Sequence, residues 1–160
     1  MMFVQYSQKE ADAVLKMMRD HVDYAPEFSS PRQGDEDISY FIDSFVEEMD
    51  GGLAYVLKDV GAIVRSFTTV TKRLDQQGEV WWHITALFVA NDANAEANAL
   101  ATIEHFHRLL APSANLCVNV HPSASRAIDL WASNGFSLCP DCSVFLNADG
   151  ERISSYRSGV

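Results

Sequence analysis

Hydrophobic and polar positions follow two different periods along the chain, and the switches between them mark out the elements. "MFVQYS", residues 2–7, reads as a short strand. Ser7 then opens a helix, with Glu10 three residues on completing a capping box. Ala11, Val14, Leu15, Met18 and Val22 follow at helical spacing and give it one apolar face. The prolines, serines and glycine of residues 23–37 predict a loop. Ile38, Phe41, Ile42, Phe45, Val46 and Met49 predict a second helix, ended by Gly51 and Gly52.

The period then shortens to two. "LAYVLK", "AIVRSFTTVTKRL" and "EVWWHITALFVA", separated by the turns "DVG" and "DQQG", predict three consecutive antiparallel strands. A polar segment with no glycine leads from Val89 into a helix whose face includes Leu100, Ile103, Phe106 and Leu110. "NLCVNV" is a compact apolar strand, and "SASRAIDLWASNGF" a helix ending at Asn134 and Gly135. "SLCPDCSVFLN" predicts a hairpin turning at Pro140 and Asp141, and residues 148–160 a polar, loosely ordered tail after a single domain over residues 1–147. The helix between the third of those strands and "NLCVNV" implies a parallel crossover in a mostly antiparallel sheet, where strands can splay and admit a ligand.

Composition narrows the functional classes. With 160 residues, 48% hydrophobic and 21% charged, the chain is ordinary for a globular domain. No apolar run is long enough to span a bilayer and no secretory leader is visible at the start, so no membrane partner and a cytoplasmic setting are expected. Residues 1–50 carry 12 acidic and 4 basic side chains, the remainder 10 and 8, so most of the formal charge of -10 lies in the first third. That balance disfavours nucleic acid as a partner and favours a cationic ligand or a basic protein. Three cysteines do not suggest a disulfide scaffold. Cys139 and Cys142 have the spacing of half a zinc site or a redox pair, yet a tight turn brings such residues together without a metal, and no metal is expected. His83 is the best base candidate, on one strand face with Trp81, Thr85, Leu87 and Val89.

The element order, with "RAIDLWASNGF" near the end, resembles the GNAT family, the Gcn5-related N-acetyltransferases. The late helix of that family reads Asn-x-x-Ala-x-x-x-Tyr and ends in Gly-Phe; Ala127, Leu130, Gly135 and Phe136 fit. "ITALFVANDANAEANAL" resembles the family's fourth strand and following loop. The resemblance implies an α+β fold, mixed and mostly antiparallel with a splayed parallel pair, in the order β-α-α-β-β-β-α-β-α-β-β. It also implies an acyl-CoA donor, acetyl-CoA first, lying between the splayed strands with its diphosphate on backbone N–H groups at a helix start.

By resemblance the donor site comprises Leu87, Phe88, Val89, Asn94, Ala95, Ala97, Asn98 and Ala99, with backbone groups near Leu87–Val89 polarising the thioester carbonyl. Asn94 stands for the family's Arg or Gln, Ala97 for its first loop glycine and Ala99 for the final Gly or Ala. Ala97 adds a methyl where glycine is usual and Glu96 repels a diphosphate, so the same segment also reads as a plain capped helix start. Trp131 replaces the family's tyrosine acid and Ala124 its asparagine; an indole cannot release a proton at useful pH. Trp131 and Ser125 are expected to line the substrate pocket, although Trp131 on an apolar helix face also suits the core. His83 lies near the family's usual amine base. The implied function is acyl transfer to a cationic amine or basic peptide drawn by residues 23–50. The competing expectations are a non-catalytic GNAT-like module that binds a protein or another ligand and, on charge alone, an acidic decoy. A homodimer is compatible with either.

Overall fold

The computed structural model describes residues 1–27, 52–110, 115–139, 145–146 and 152–158. Among these, chain order is β1 (Met2–Gln5), a 3-10 turn (Gln8–Glu10), α1 (Ala11–Met18), β2 (His21–Asp23), β3 (Gly52–Lys58), β4 (Val64–Leu74) and β5 (Val80–Ala90). Then come α2 (Ala95–Leu109), β6 (Leu116–Val120), α3 (Ser125–Ser133), β7 (Phe136–Leu138), β8 (Phe145–Leu146) and β9 (Arg152–Ser158). The helix expected over residues 38–49 and the turn at Pro140 and Asp141 lie outside the described residues.

Neighbouring strands run β1-β3-β4-β5-β6-β9-β7, with β2 against β5 and β8 against β9. All these pairings are antiparallel except β5 with β6. The expected α+β architecture with one parallel pair is therefore present. Both tight turns of the β3-β4-β5 meander are organised by an aspartate. Asp59 Oδ1 accepts from the Gly61 and Ile63 amides and Asp75 Oδ1 from those of Gln77 and Glu79. The Ile63 amide, and then Arg65, hold the Asp59 carboxyl below the usual range. Gly78, at φ +80°, supplies the left-handed residue that closes the second turn.

Helices cover both faces. Val14, Met17 and Met18 of α1 pack on Ala54, Val56, Phe67, Ala86 and Phe88. On the other face Ala99, Ile103 and Phe106 of α2, with Ala127, Leu130 and Trp131 of α3, pack on Val70, Ile84, Leu87, Val89 and Val118. A bulge separates these memberships: Thr69 pairs with Ala86 but Val70 with Ile84, leaving Thr85 as the extra residue. One extra residue moves all later side chains to the opposite face. His83, beside Ile84 in sequence, thus lies on the α1 side of the sheet, while Leu87 and Val89 lie on the side of α2 and α3. The strand face expected to carry all three does not exist.

Three further expectations change. No capping box forms at Ser7, whose side chain makes no cap bond; the Glu10 carboxylate instead accepts from Lys58 Nζ at 2.7 Å. Val22 does not continue α1 but belongs to β2, because strand pairing with β5 outcompetes another helical turn. Residues 152–158, expected within a loose tail, form β9 between β6 and β7, with Ile153, Ser155, Tyr156 and Ser158 buried. The strands expected to form a hairpin with each other, β7 and β8, each pair with β9 instead. The serines and arginines of β9 leave no apolar alternation in the sequence, yet Ser155 and Ser158 are buried along with Ile153 and Tyr156. No helix among the described residues is long and apolar enough to cross a membrane.

Deleting residues 148–160 exposes unpaired edges of β6 and β7. The truncated chain is expected to lose its cooperative thermal transition by circular dichroism; a tail would leave the midpoint within a few degrees of the full chain.

Candidate active site

The parallel strands β5 and β6 pair only at Trp82 with Leu116, His83 with Cys117 and Ile84 with Val118. Beyond Ile84 they diverge, as expected for a donor cleft. The opening is taken by the chain itself. On the edge of β5 that β6 leaves, His21 pairs with Ala90, Val22 with Val89 and Asp23 with Phe88. The opposite edge stays with β4, through Ser66 with Val89 and Phe67 with Phe88. The Tyr24 amide donates to the Leu87 carbonyl at 2.9 Å and the Asn91 amide to the Asp20 carbonyl at 3.0 Å.

Residues 20–26 are held from the far side as well. The His121 amide donates to the Pro26 carbonyl at 2.7 Å, and Trp131 Nε1 to the Tyr24 carbonyl at 2.6 Å. Tyr24 is 1% exposed, in the cluster that holds Leu87, Ala95, Ala99 and Trp131. The expectation of open backbone at Leu87–Val89 therefore requires correction: in this structure that edge is a paired β ladder. Trp131 is fully buried and its indole N–H is spent on Tyr24, so its role here is packing and hydrogen bonding. Ser125 is exposed at the start of α3.

The start of α2 is neither a glycine cradle nor side-chain capped by Asn94. Asp92 Oδ1 accepts from the Asn94 amide at 2.7 Å, and the Asp92 carbonyl from the Ala95 amide at 3.2 Å. The Asn98 amide already reaches Asn94 O, which leaves the Glu96 and Ala97 amides without an intrahelical acceptor. Both residues are exposed, whereas Ala95, Asn98 and Ala99 point into the protein. Of the expected loop residues, Asn94, Glu96 and Ala97 thus remain able to meet a phosphate. Arg65 is engaged by Asp59 at 2.7 Å and by Asp92 at 3.4 Å. A cavity of about 430 Å³ is lined by β2, Pro26, Asn91 and the residues Ser123–Ala127 at the start of α3. It includes Arg126, whose guanidinium carbon sits 5.7 Å from the Tyr24 ring centroid. Sequence reasoning missed this cation; an arginine in the first turn of a helix that follows a serine-rich cap was the available signal.

His83 is 2% exposed, and neither ring nitrogen has a hydrogen-bond partner among the described residues. Glu27 Oε1 stands 3.6 Å from Nε2. Burial, and then Arg73, push the imidazole down to about 3. It is neutral at physiological pH, but in this conformation it is a weak base. Cys117, its neighbour in register, is a free thiol pushed up to about 11, chiefly by burial. The two shifts run against a thiolate–imidazolium pair, so a cysteine nucleophile does not form here. Arg157 lies over the Trp81 ring at 4.5 Å. Cys139 is disulfide-bonded, and no cluster of three or more metal-ligating side chains occurs among the described residues.

Replacing Trp131 with Phe strands the buried Tyr24 carbonyl and is expected to cost about 1–3 kcal/mol in chemical denaturation. For His83 the folded value, about 3, lies below the ordinary 6.5. Below the ordinary value the unfolded chain takes up the proton and the folded one does not. This contribution is therefore complete above about pH 6.5 and is lost as pH falls toward about 3. Denaturation from about pH 7 to about pH 5 should show stability falling more steeply in the wild type than in His83→Met, by up to about 1.4 kcal/mol per pH unit.

No family model matches the sequence, and no curated protein matches it. Solved structures do. A probable acetyltransferase aligns with TM-score 0.70 at 14% identity, covering 92% of this chain and 97% of its own. A NatB acetyltransferase complex bound to CoA aligns with TM-score 0.66 at 13% identity over 99% and 98%. An aminoglycoside 6'-acetyltransferase type Ii aligns with TM-score 0.65 at 12% identity over 98% and 95%. The chain has the fold of the Gcn5-related N-acetyltransferases.

Proposed function

We propose that this protein is an acyl-CoA-dependent N-acyltransferase that transfers acetyl to a primary amine. The observation that carries the reading is the divergence of β5 from β6 after Ile84, beside the free Glu96 and Ala97 amides. Those amides and Arg126 would hold the diphosphate, whose charge suits a helix N-terminus. The donor supplies an activated thioester. The acceptor nitrogen attacks its carbonyl carbon, the C–S bond breaks, and the products are an N-acetyl amine and the CoA thiol. His83 would accept the proton released by the amine; the thiolate would take its proton from solvent, since an indole cannot supply one.

Charge bears on the acceptor. The formal -10 draws cationic amines from solution. Arg73 acts electrostatically on His83, and a guanidinium near the site favours the neutral, nucleophilic form of an amine. The structural relatives include a spermidine N-acetyltransferase chimera from Vibrio cholerae, aligned with TM-score 0.61 at 9% identity. Together these favour a polyamine-like acceptor or a basic peptide, in a cytoplasmic setting.

Two observations favour a second reading, a GNAT-fold module without catalysis. The donor edge of β5 is already paired with β2, and Trp131 stands where a proton donor would be needed. The two separate in one assay. With millimolar acetyl-CoA and a panel of primary amines, amine-dependent thiol release is expected, and His83→Ala should lower kcat about 100-fold with the donor KM little changed. No release with any amine, together with no acetyl-CoA binding by calorimetry, leaves the module.

A further inference from the structure

We infer that residues 20–27 form a withdrawable strap that closes the donor cleft and the candidate base together. The inference rests on the acyl-transfer reading and adds to it a conformational control built from the chain's own backbone. β2 is three residues long, against eleven for β4 and for β5. Among the described residues it pairs with β5 along one edge, and on its far side the Tyr24 and Pro26 carbonyls accept from Trp131 Nε1 and the His121 amide. His21, Val22 and Asp23 are only half-buried, and they form one wall of the 430 Å³ cavity. So short a strand makes few ladder bonds for a competing molecule to replace, and the buried Tyr24 ring is its main anchor. Any molecule that presents amides to the edge of β5 competes for the same carbonyl and N–H groups, and the pantetheine arm of an acyl-CoA carries amides along an extended chain.

The strap also reaches the base. Glu27, one residue beyond the Pro26 carbonyl held by His121, sits 3.6 Å from His83 Nε2. Closure therefore buries the imidazole and sets a carboxylate beside it in one movement. Withdrawal frees the Leu87 carbonyl and the backbone of Val89, removes Tyr24 from the cleft and lets water reach His83. Its basicity then returns toward the ordinary imidazole range. The donor thus opens the site that uses it, and the closed form keeps a weak base out of solvent until a thioester is present.

Three measurements test the strap. Tyr24→Ala should bind CoA at least about tenfold more tightly than the wild type by calorimetry, because apparent affinity scales with the open fraction. His21→Cys with Ala90→Cys staples β2 to β5 at directly opposed positions, a spacing that suits a disulfide. Its oxidised form should bind CoA at least about tenfold more weakly and recover on reduction, with the wild type unaffected by the same treatment. In the unaltered protein, CoA should accelerate hydrogen exchange at the Val22 and Tyr24 amides. Equal CoA affinity in all forms, with exchange unchanged at those amides, overturns the strap and leaves acyl transfer standing. No CoA binding in any form, including a folded Tyr24→Ala, overturns both. Should Tyr24→Ala fail to fold, the staple and the exchange measurement decide alone.

Discussion

The free edge of β5 has to be paired. Where β6 turns away after Ile84, a row of backbone N–H and C=O groups is left facing the protein interior, and such groups are costly without partners. Residues 20–26 satisfy them, and much else follows from that pairing. It carries Tyr24 into the core between β5, α2 and α3, and it gives the buried indole N–H of Trp131 an acceptor. It binds the end of β6, at His121, to the segment that leaves α1. A cleft that separates two parallel strands is thereby converted into continuous secondary structure without those strands meeting.

The same pairing shapes the chemistry. Burial keeps His83 neutral but weakly basic, with Arg73 adding to the fall, and keeps Cys117 as a thiol against the opposing pull of Arg157 and Arg73. The guanidiniums of Arg73 and Arg157 give this face of the sheet positive character despite the protein's overall negative charge. Asp92 and Arg65 occupy one another near the start of α2, leaving Arg126 as the cation at the cavity. The buried imidazole of His83 and the free helix amides of Glu96 and Ala97 thus stand on opposite sides of a paired edge.

Much of this was legible in the residues. The meander of β3, β4 and β5 follows from alternation and from aspartates at its turns, both local signals. α3 is bounded by its apolar spacing and by Gly135 at φ +84°. The parallel crossover follows from a helix lying between two strands. What could not be read was every feature that depends on a distant partner. Val22 continues a helical period, and only the vacant edge of β5 makes it a strand residue. Glu10 fits a capping box until Lys58 is brought near from another strand. The serines of 152–158 read as a tail because their burial comes from β6 and β7.

Amino-acid order by itself determined most of the element types, the α+β class and the mixed sheet, because period and turn chemistry are properties of neighbouring residues. Tertiary structure alone decided which face His83 occupies, since a single bulge at Thr85 reverses the alternation after it. It alone decided what fills the space between β5 and β6, because the pairing of an edge is settled by competition among all segments that can reach it.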